Sequence, residues 1–131
     1  MRYGYGRSLE VPFATVLDRT RLALLNEGFG VLYEIDLRAK LRAELGVEFP
    51  PYVIFGACSP QVAHHGLLEE IDLGLLLPSN VVVYAESDQR TSVKAIDAVQ
   101  MFAITGNAKL EAAAGEIEER LHKVIDGLTD Q

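Results

Sequence analysis

Cysteine, positive charge and long apolar runs are all scarce in this sequence of 131 residues. The single cysteine, Cys58, excludes an internal disulfide framework. The 12 Lys and Arg residues against 19 Asp and Glu residues give a net charge of −7. This balance argues against nucleic acid and anionic membranes as partners, because both bind clustered basic residues. The apolar stretch 73–78 is far shorter than the roughly 20 residues that span a bilayer, so we expect a buried connection there.

The N-terminal segment MRYGYGRSLEV lacks the apolar core of a signal peptide, so we expect a cytoplasmic protein. No repeat, low-complexity run or charge block marks a linker. With 49% hydrophobic and 24% charged residues, the sequence is typical of a single domain over residues 1–131. A domain of this length buries roughly two thirds of the surface of its unfolded chain.

Apolar periodicity divides the sequence into strands and helices in the order β-α-β-α-β-α-β-β-α. The fourth and fifth strands are separated only by a polar turn, which predicts an antiparallel hairpin. The last helix has an apolar stripe that can cover a sheet. Together these elements predict an α+β fold, an α/β two-layer sandwich. Its sheet is expected to be mixed, mostly antiparallel and of about five strands, with helices packed on one face.

Residues with capping chemistry mark several helix ends. Asp36 can cap the second helix, which Gly46 closes, and Gly28 ends the first helix as a left-handed residue. Ser59 lies directly before Pro60 at the start of the third helix. We expect the Ser59 hydroxyl to accept a hydrogen bond from one of the free backbone N–H groups there.

Cys58 has the most chemically suggestive position in the sequence, at a strand end and one residue before a helix cap. Unpaired N–H groups at that point can stabilise a thiolate or bind an anion. An unpaired cysteine is nevertheless more often a small buried hydrophobe. A redox enzyme would be expected to carry a second cysteine nearby, and this chain has none.

His64 and His65 raise the question of a metal site. Adjacent helical residues point about 100° apart, so both cannot easily hold one ion, whereas His65 and Glu69 lie on one helix face. Adding Cys58 gives at most three ligands and no recognised metal-site spacing. We therefore assign no metal site and keep His64, His65 and Glu69 as candidates that need a ligand from another chain.

Three segments in order resemble the domain-of-unknown-function family numbered 302: LNEGFGVL at 25–32, GACSP at 56–60 and LLPSNVVVY at 76–84. The resemblance implies a small α/β sandwich, often dimeric, whose biochemical function is not established. It also implies a cysteine in the element that contains Cys58 and a second cysteine after Leu-Pro, where this chain has Ser79. The chain therefore cannot use a pair of thiols at these positions.

A homodimer is the expected assembly. If helices cover one face of the sheet, the other face is solvated or buried against a second copy. Tyr3, Tyr5, Tyr33 and Tyr84 are large, stiff side chains that suit such an interface. The family resemblance supports the same expectation.

Three functions remain open. The leading hypothesis is a dimeric small-ligand-binding module with a site near Cys58, Ser59 and the Leu77–Asn80 turn, which contains Ser79. The first alternative is a thiol-dependent enzyme with Cys58 as nucleophile, which requires a lowered thiol pKa and a histidine base. The second alternative is a metal-binding protein that uses Cys58 and one of the two adjacent histidines. No catalytic constellation is complete, and no motif specifies a cofactor.

Overall fold

The computed structural model describes residues 1–131 and contains one five-stranded sheet. The strands are β1 Gly4–Leu9, β2 Gly30–Asp36, β3 Tyr52–Cys58, β4 Ser79–Ser87 and β5 Arg90–Ile96. Their spatial order is β1-β5-β4-β3-β2, so β1 and β2 form the two edges. Every neighbouring pair is antiparallel, and the predicted hairpin of β4 and β5 is confirmed.

Helices pack on one face of this sheet. They are α1 Phe13–Asn26, α2 Leu37–Leu45, α3 Pro60–Glu69, α4 Ala98–Ala103 and α5 Glu111–Asp126, with 3₁₀ turns at Ile71–Leu75 and Ala108–Leu110. α1, α3 and α4 all contact α5, while α2 packs mainly against β3. The predicted α+β two-layer sandwich is therefore confirmed. None of these helices is both long and apolar enough to cross a bilayer.

The core lies between the sheet and the helix layer. Alternate residues of the central strands face it, and Phe55, Val83 and Val93 are fully buried. The predicted apolar stripe of the last helix is buried along its whole length, through Leu110, Ala114, Ile117, Leu121, Val124 and Leu128. Removing this apolar surface from water is the main favourable contribution to the free energy of folding.

Capping residues mark the start of α2 and the ends of α1 and α2 where the sequence predicts. Asp36 Oδ1 accepts a hydrogen bond of 2.9 Å from Ala39 N at the start of α2. Gly46 ends α2 with φ 66°, and Gly28 follows α1 with φ 84°. Glycine suits both positions because a Cβ disfavours the left-handed region.

The connection between α3 and β4 is only partly buried, which corrects the expectation for residues 73–78. Leu73 is buried against Phe102 and Leu110, whereas Ile71 and Leu75 are 80% and 87% exposed. A 3₁₀ turn repeats every three residues, so a short one directs few side chains toward the core and leaves the others in solvent.

The second face of the sheet, which we call the open face, carries the alternate residues of the same strands. Side chains on a strand alternate between the two faces, and paired residues point the same way. The pairings of Tyr52 with Tyr84, of Ile54 with Val82 and of Val82 with Lys94 place these side chains on one surface. All five are half-buried, in contrast to the buried residues that alternate with them.

Candidate functional site

Cys58 is the last residue of β3, half-buried and paired with Gly30 of β2. Burial raises the pKa of its thiol above the ordinary value, because a thiolate would lose hydration at this position. An activated thiol at a helix start has a lowered pKa. The surroundings of Cys58 therefore favour a packing role over nucleophilic attack.

Ser59 does not cap α3 through its side chain, which corrects the prediction for this residue. Arg120 Nη1 donates instead to Ser59 Oγ at 3.2 Å, and Arg120 Nη2 donates to Glu116 Oε1 at 2.5 Å. Arg120 lies on α5, 61 residues away in sequence, so local sequence gave no sign of this competing donor. Arg120 reaches the start of α3 from α5. Its guanidinium is already paired with the Glu116 carboxylate, so it is not a free anion site.

Ser79 lines a small internal cavity together with Cys58 and Ser59. The cavity has a volume of about 10 Å³ and mostly apolar walls. A buried water needs roughly 10–15 Å³, so this space admits at most one water and no organic ligand. The space that Cys58, Ser59 and Ser79 share is therefore filled, whereas Ser59 also borders an open polar depression beside Gly28 and Arg120.

His64 and His65 do not converge on one point. Their ring centroids are 6.3 Å apart and their planes are tilted by 52°. Glu69 Oε2 lies 3.7 Å from Lys109 Nζ. No three His, Cys, Asp or Glu side chains are arranged to hold a metal ion. Metal binding at these residues stays a prediction that requires a ligand from another chain.

Asn80, the fourth predicted ligand-binding residue, lies on the open face, where Tyr33 holds its side chain. The Tyr33 hydroxyl donates to Asn80 Oδ1 at 2.5 Å. Tyr33 pairs with Gly56 across β2 and β3, and Gly56 pairs with Asn80 across β3 and β4. The Tyr33 ring covers Gly56 so closely that a Cβ there would lie 2.5 Å from it.

An open-face cavity of about 290 Å³ has Asn80 in its wall. Tyr52 and Tyr84 form one side of it, with their ring centroids 5.4 Å apart and their planes within 8° of parallel. Val82 and Ile96 add aliphatic surface. A concave, mostly apolar wall with a few polar groups is the usual form of a small-molecule site.

Lys94 is the only residue with a charged side chain in the wall of the open-face cavity. Its Nζ lies 5.3 Å from the centroid of the Tyr84 ring, within cation–π range. No carboxylate in the chain lies within ion-pair distance of it. Interaction with the Tyr84 side chain raises the pKa of Lys94 and lowers the pKa of Tyr84. Lys94 is therefore an ionised group without a counter-ion.

Glu86 holds two serine hydroxyls at the other end of the open face. Ser92 and Ser8 both donate to Glu86 Oε1, and the second of these bonds is 2.7 Å long. These hydrogen bonds lower the pKa of Glu86, Ser92 having the larger effect. A carboxylate stabilised in this way is a weak base, so the serines act as hydrogen-bond donors and not as activated nucleophiles.

Comparison with known proteins agrees with this fold. The family model described as domain of unknown function DUF302 matches residues 5–128. The chain belongs to the DUF302 family. The crystal structure of an uncharacterized conserved DUF302 protein from Bacillus stearothermophilus is similar to it, with a TM-score of 0.86 and 28% sequence identity. The alignment covers 96% of this chain and 98% of that chain.

No functionally curated protein matches this DUF302 chain. The family resemblance that the sequence indicates is confirmed, and the match extends from β1 to beyond α5. Membership in DUF302 accounts for the fold and names no biochemical function.

Sequence reasoning missed most residues of the DUF302 open-face cavity, including Tyr52 and Lys94. A signal for Lys94 is present in the sequence, because it alternates with the buried residues Val93 and Ala95 and so must face away from the core. Its proximity to Tyr84 depends on the register of β4 and β5, which the sequence does not specify.

A second cluster of titratable groups joins α5 of the DUF302 domain to the start of α4. Glu118 Oε1 lies 3.1 Å from His122 Nε2, and Glu118 Oε2 accepts a hydrogen bond of 3.1 Å from Val99 N. Burial raises the pKa of Glu118, and a hydrogen bond with Asp97 adds to this rise. The same hydrogen bond lowers the pKa of Asp97. The Tyr5 ring stacks on His122 at 3.9 Å, which ties β1 to this junction.

Proposed function

We propose that this DUF302 domain is a binding module for a small molecule with a flat apolar body, and that the ligand occupies the open-face cavity. The stacked pair Tyr52 and Tyr84 carries the proposal, because it offers an ordered aromatic wall beside the aliphatic side chain of Val82. The cavity is at the small end of the usual range for ligand sites, which suits a ligand of two or three rings. Asn80 belongs both to this cavity and to the site predicted from the sequence.

Titration with N-phenyl-1-naphthylamine tests this proposal. The probe is neutral and fluoresces strongly in apolar surroundings, so we expect a saturable rise in fluorescence with the wild-type protein. Val82→Phe places a ring in the cavity and should weaken binding by roughly tenfold or more. Leu22→Phe is the matched control, because Leu22 is 59% exposed on α1. Absence of saturable binding, or equal affinity in Val82→Phe, would contradict the proposal.

We also propose that the domain forms a homodimer through the open face. Tyr3 and Ile35 remain 68% and 39% exposed, and exposed apolar patches mark interaction surfaces. Tyr5 does not belong to this surface, because it stacks on His122 of α5. The Tyr5 hydroxyl also donates a hydrogen bond of 2.5 Å to Asp126 Oδ1. A second copy would close the cavity from above and shield the ligand from water.

Sedimentation velocity at tens of micromolar protein tests the dimer. We expect wild-type protein to sediment as a dimer and Ile35→Lys to sediment as a monomer, because the lysine places a charge in the apolar contact. Leu25→Lys is the control, since Leu25 is 57% exposed on α1. A monomeric wild type, or a dimer unaffected by Ile35→Lys, would refute assembly through this face.

A further inference from the structure

The charge of Lys94 indicates which class of ligand the open-face cavity takes. The chain carries a net charge of −7, yet Lys94 faces the cavity without a carboxylate partner. Its aliphatic stem is held in place over Gly6, where a Cβ would lie 2.3 Å from Lys94 Cγ. The ammonium group lies over the Tyr84 ring, at the edge of an apolar wall. An anion placed there would gain a charge-assisted hydrogen bond from Lys94.

Asn80 adds a second donor on the same surface. Its Oδ1 accepts from the Tyr33 hydroxyl, so its two amide N–H groups are available to another acceptor. Lys94 pairs with Val82, and Asn80 lies two residues before Val82 on β4. Both side chains line the open-face cavity, so a ligand that fills the cavity can contact both of them.

Tyr33 is the positioning residue of this arrangement. A free asparagine amide can rotate and present either its oxygen or its nitrogen to the cavity. The bond from Tyr33 fixes the oxygen on the Tyr33 side and leaves the nitrogen for the ligand. Gly56 permits this bond, because only a residue without a Cβ leaves room for the Tyr33 ring.

We propose that the open-face cavity binds an organic acid. The acid group accepts hydrogen bonds from the Lys94 ammonium and the Asn80 amide, and the apolar body of the ligand packs against Tyr52 and Tyr84. This inference rests on the proposed function, since it requires that the cavity is a ligand site. The inference adds the requirement that the ligand carries a negative charge, which the binding of a neutral ligand does not test.

A matched pair of probes tests the charge requirement. 8-Anilinonaphthalene-1-sulfonate and N-phenyl-1-naphthylamine share one aromatic body and differ by a sulfonate group. Wild-type protein should bind the sulfonate roughly tenfold more tightly, the effect of one hydrogen bond to a charged group. Lys94→Met keeps the length of the side chain and should abolish this preference without weakening the neutral probe. Lys123→Met, an exposed position on α5, should leave both affinities unchanged.

Two further variants separate the roles of Asn80 and Tyr33. Asn80→Asp keeps an acceptor for Tyr33 but replaces the donors with a negative charge, so it should make the cavity favour the neutral probe. Tyr33→Phe keeps the ring over Gly56 and frees the amide, so it should lower only the affinity for the sulfonate. A purely structural role for Tyr33 would change both affinities together.

The outcomes distinguish this inference from the proposed function. Equal affinity of wild-type protein for the two probes would overturn the acid inference and leave the ligand site standing. Equal losses of both probes in Lys94→Met would show that Lys94 acts only as a wall of the cavity, which also overturns the inference. Failure of both probes to bind would refute the proposed function itself and the acid inference with it.

Discussion

Gly56→Ala is expected to lower the free energy of unfolding by about 1–3 kcal/mol, the usual cost of adding a group to a filled site. The new Cβ would lie 2.5 Å from the Tyr33 ring. The ring therefore has to move, and the hydrogen bond from Tyr33 to Asn80 breaks. The same substitution should weaken the preference of the cavity for an acidic probe, because the Asn80 amide is then free to rotate.

Urea denaturation of Gly56→Ala, Tyr33→Ala and the double variant measures this effect. If the clash with the ring is the cause, Gly56→Ala should cost much less in the Tyr33→Ala background, with a coupling of about 0.5–3 kcal/mol. Gly115→Ala is the control: Gly115 lies in α5 with open space around its Cβ position, so alanine should stabilise the helix by about 0.5–1 kcal/mol. An equal cost of Gly56→Ala in both backgrounds would contradict the clash.

Elements whose signals are local were predictable from the sequence. α2 runs from Leu37 to Leu45 as predicted, because Asp36 and Gly46 act on backbone groups within one turn. The stripe of α5 was predictable because helical periodicity and burial depend on the same spacing. Once each element has one apolar face, stacking those faces gives the two-layer sandwich.

Features that depend on long-range pairing were not predictable. Lys94 meets Tyr84 only because β5 pairs with β4 in one register, and Tyr84 meets Tyr52 only because β4 pairs with β3. Ser59 shows the same limit at a helix cap, where Arg120 from a distant helix provides the hydrogen bond that the local rule assigned to the backbone. The motif around Cys58 indicated the family correctly, whereas the cavity of the proposed ligand site lies on the open face.

Glu118→Gln is expected to stabilise the domain at alkaline pH and to change little at acidic pH. Folding raises the pKa of Glu118. Such a carboxyl stabilises the fold at pH values below its unfolded pKa, and this stabilisation is lost as the pH rises through its folded pKa. Asp97 has the opposite sign: its lowered pKa contributes stability above its unfolded pKa that is lost as pH falls through its folded pKa. At pH 8 the two carboxylates repel each other, whereas a glutamine amide donates to Asp97 at every pH.

Thermal unfolding at pH 8 and pH 4 measures this difference. At pH 8 we expect Glu118→Gln to raise Tm by about 2–6 °C, which corresponds to roughly 1 kcal/mol in a domain of this size. Glu119→Gln is the control, because Glu119 is the next residue on α5, is 72% exposed and pairs only with Lys123. Equal rises at both pH values would exclude the charge of Glu118 as the cause. A lower Tm at pH 8 would show that the fold requires the ionised form of Glu118, which accepts a hydrogen bond from Val99 N.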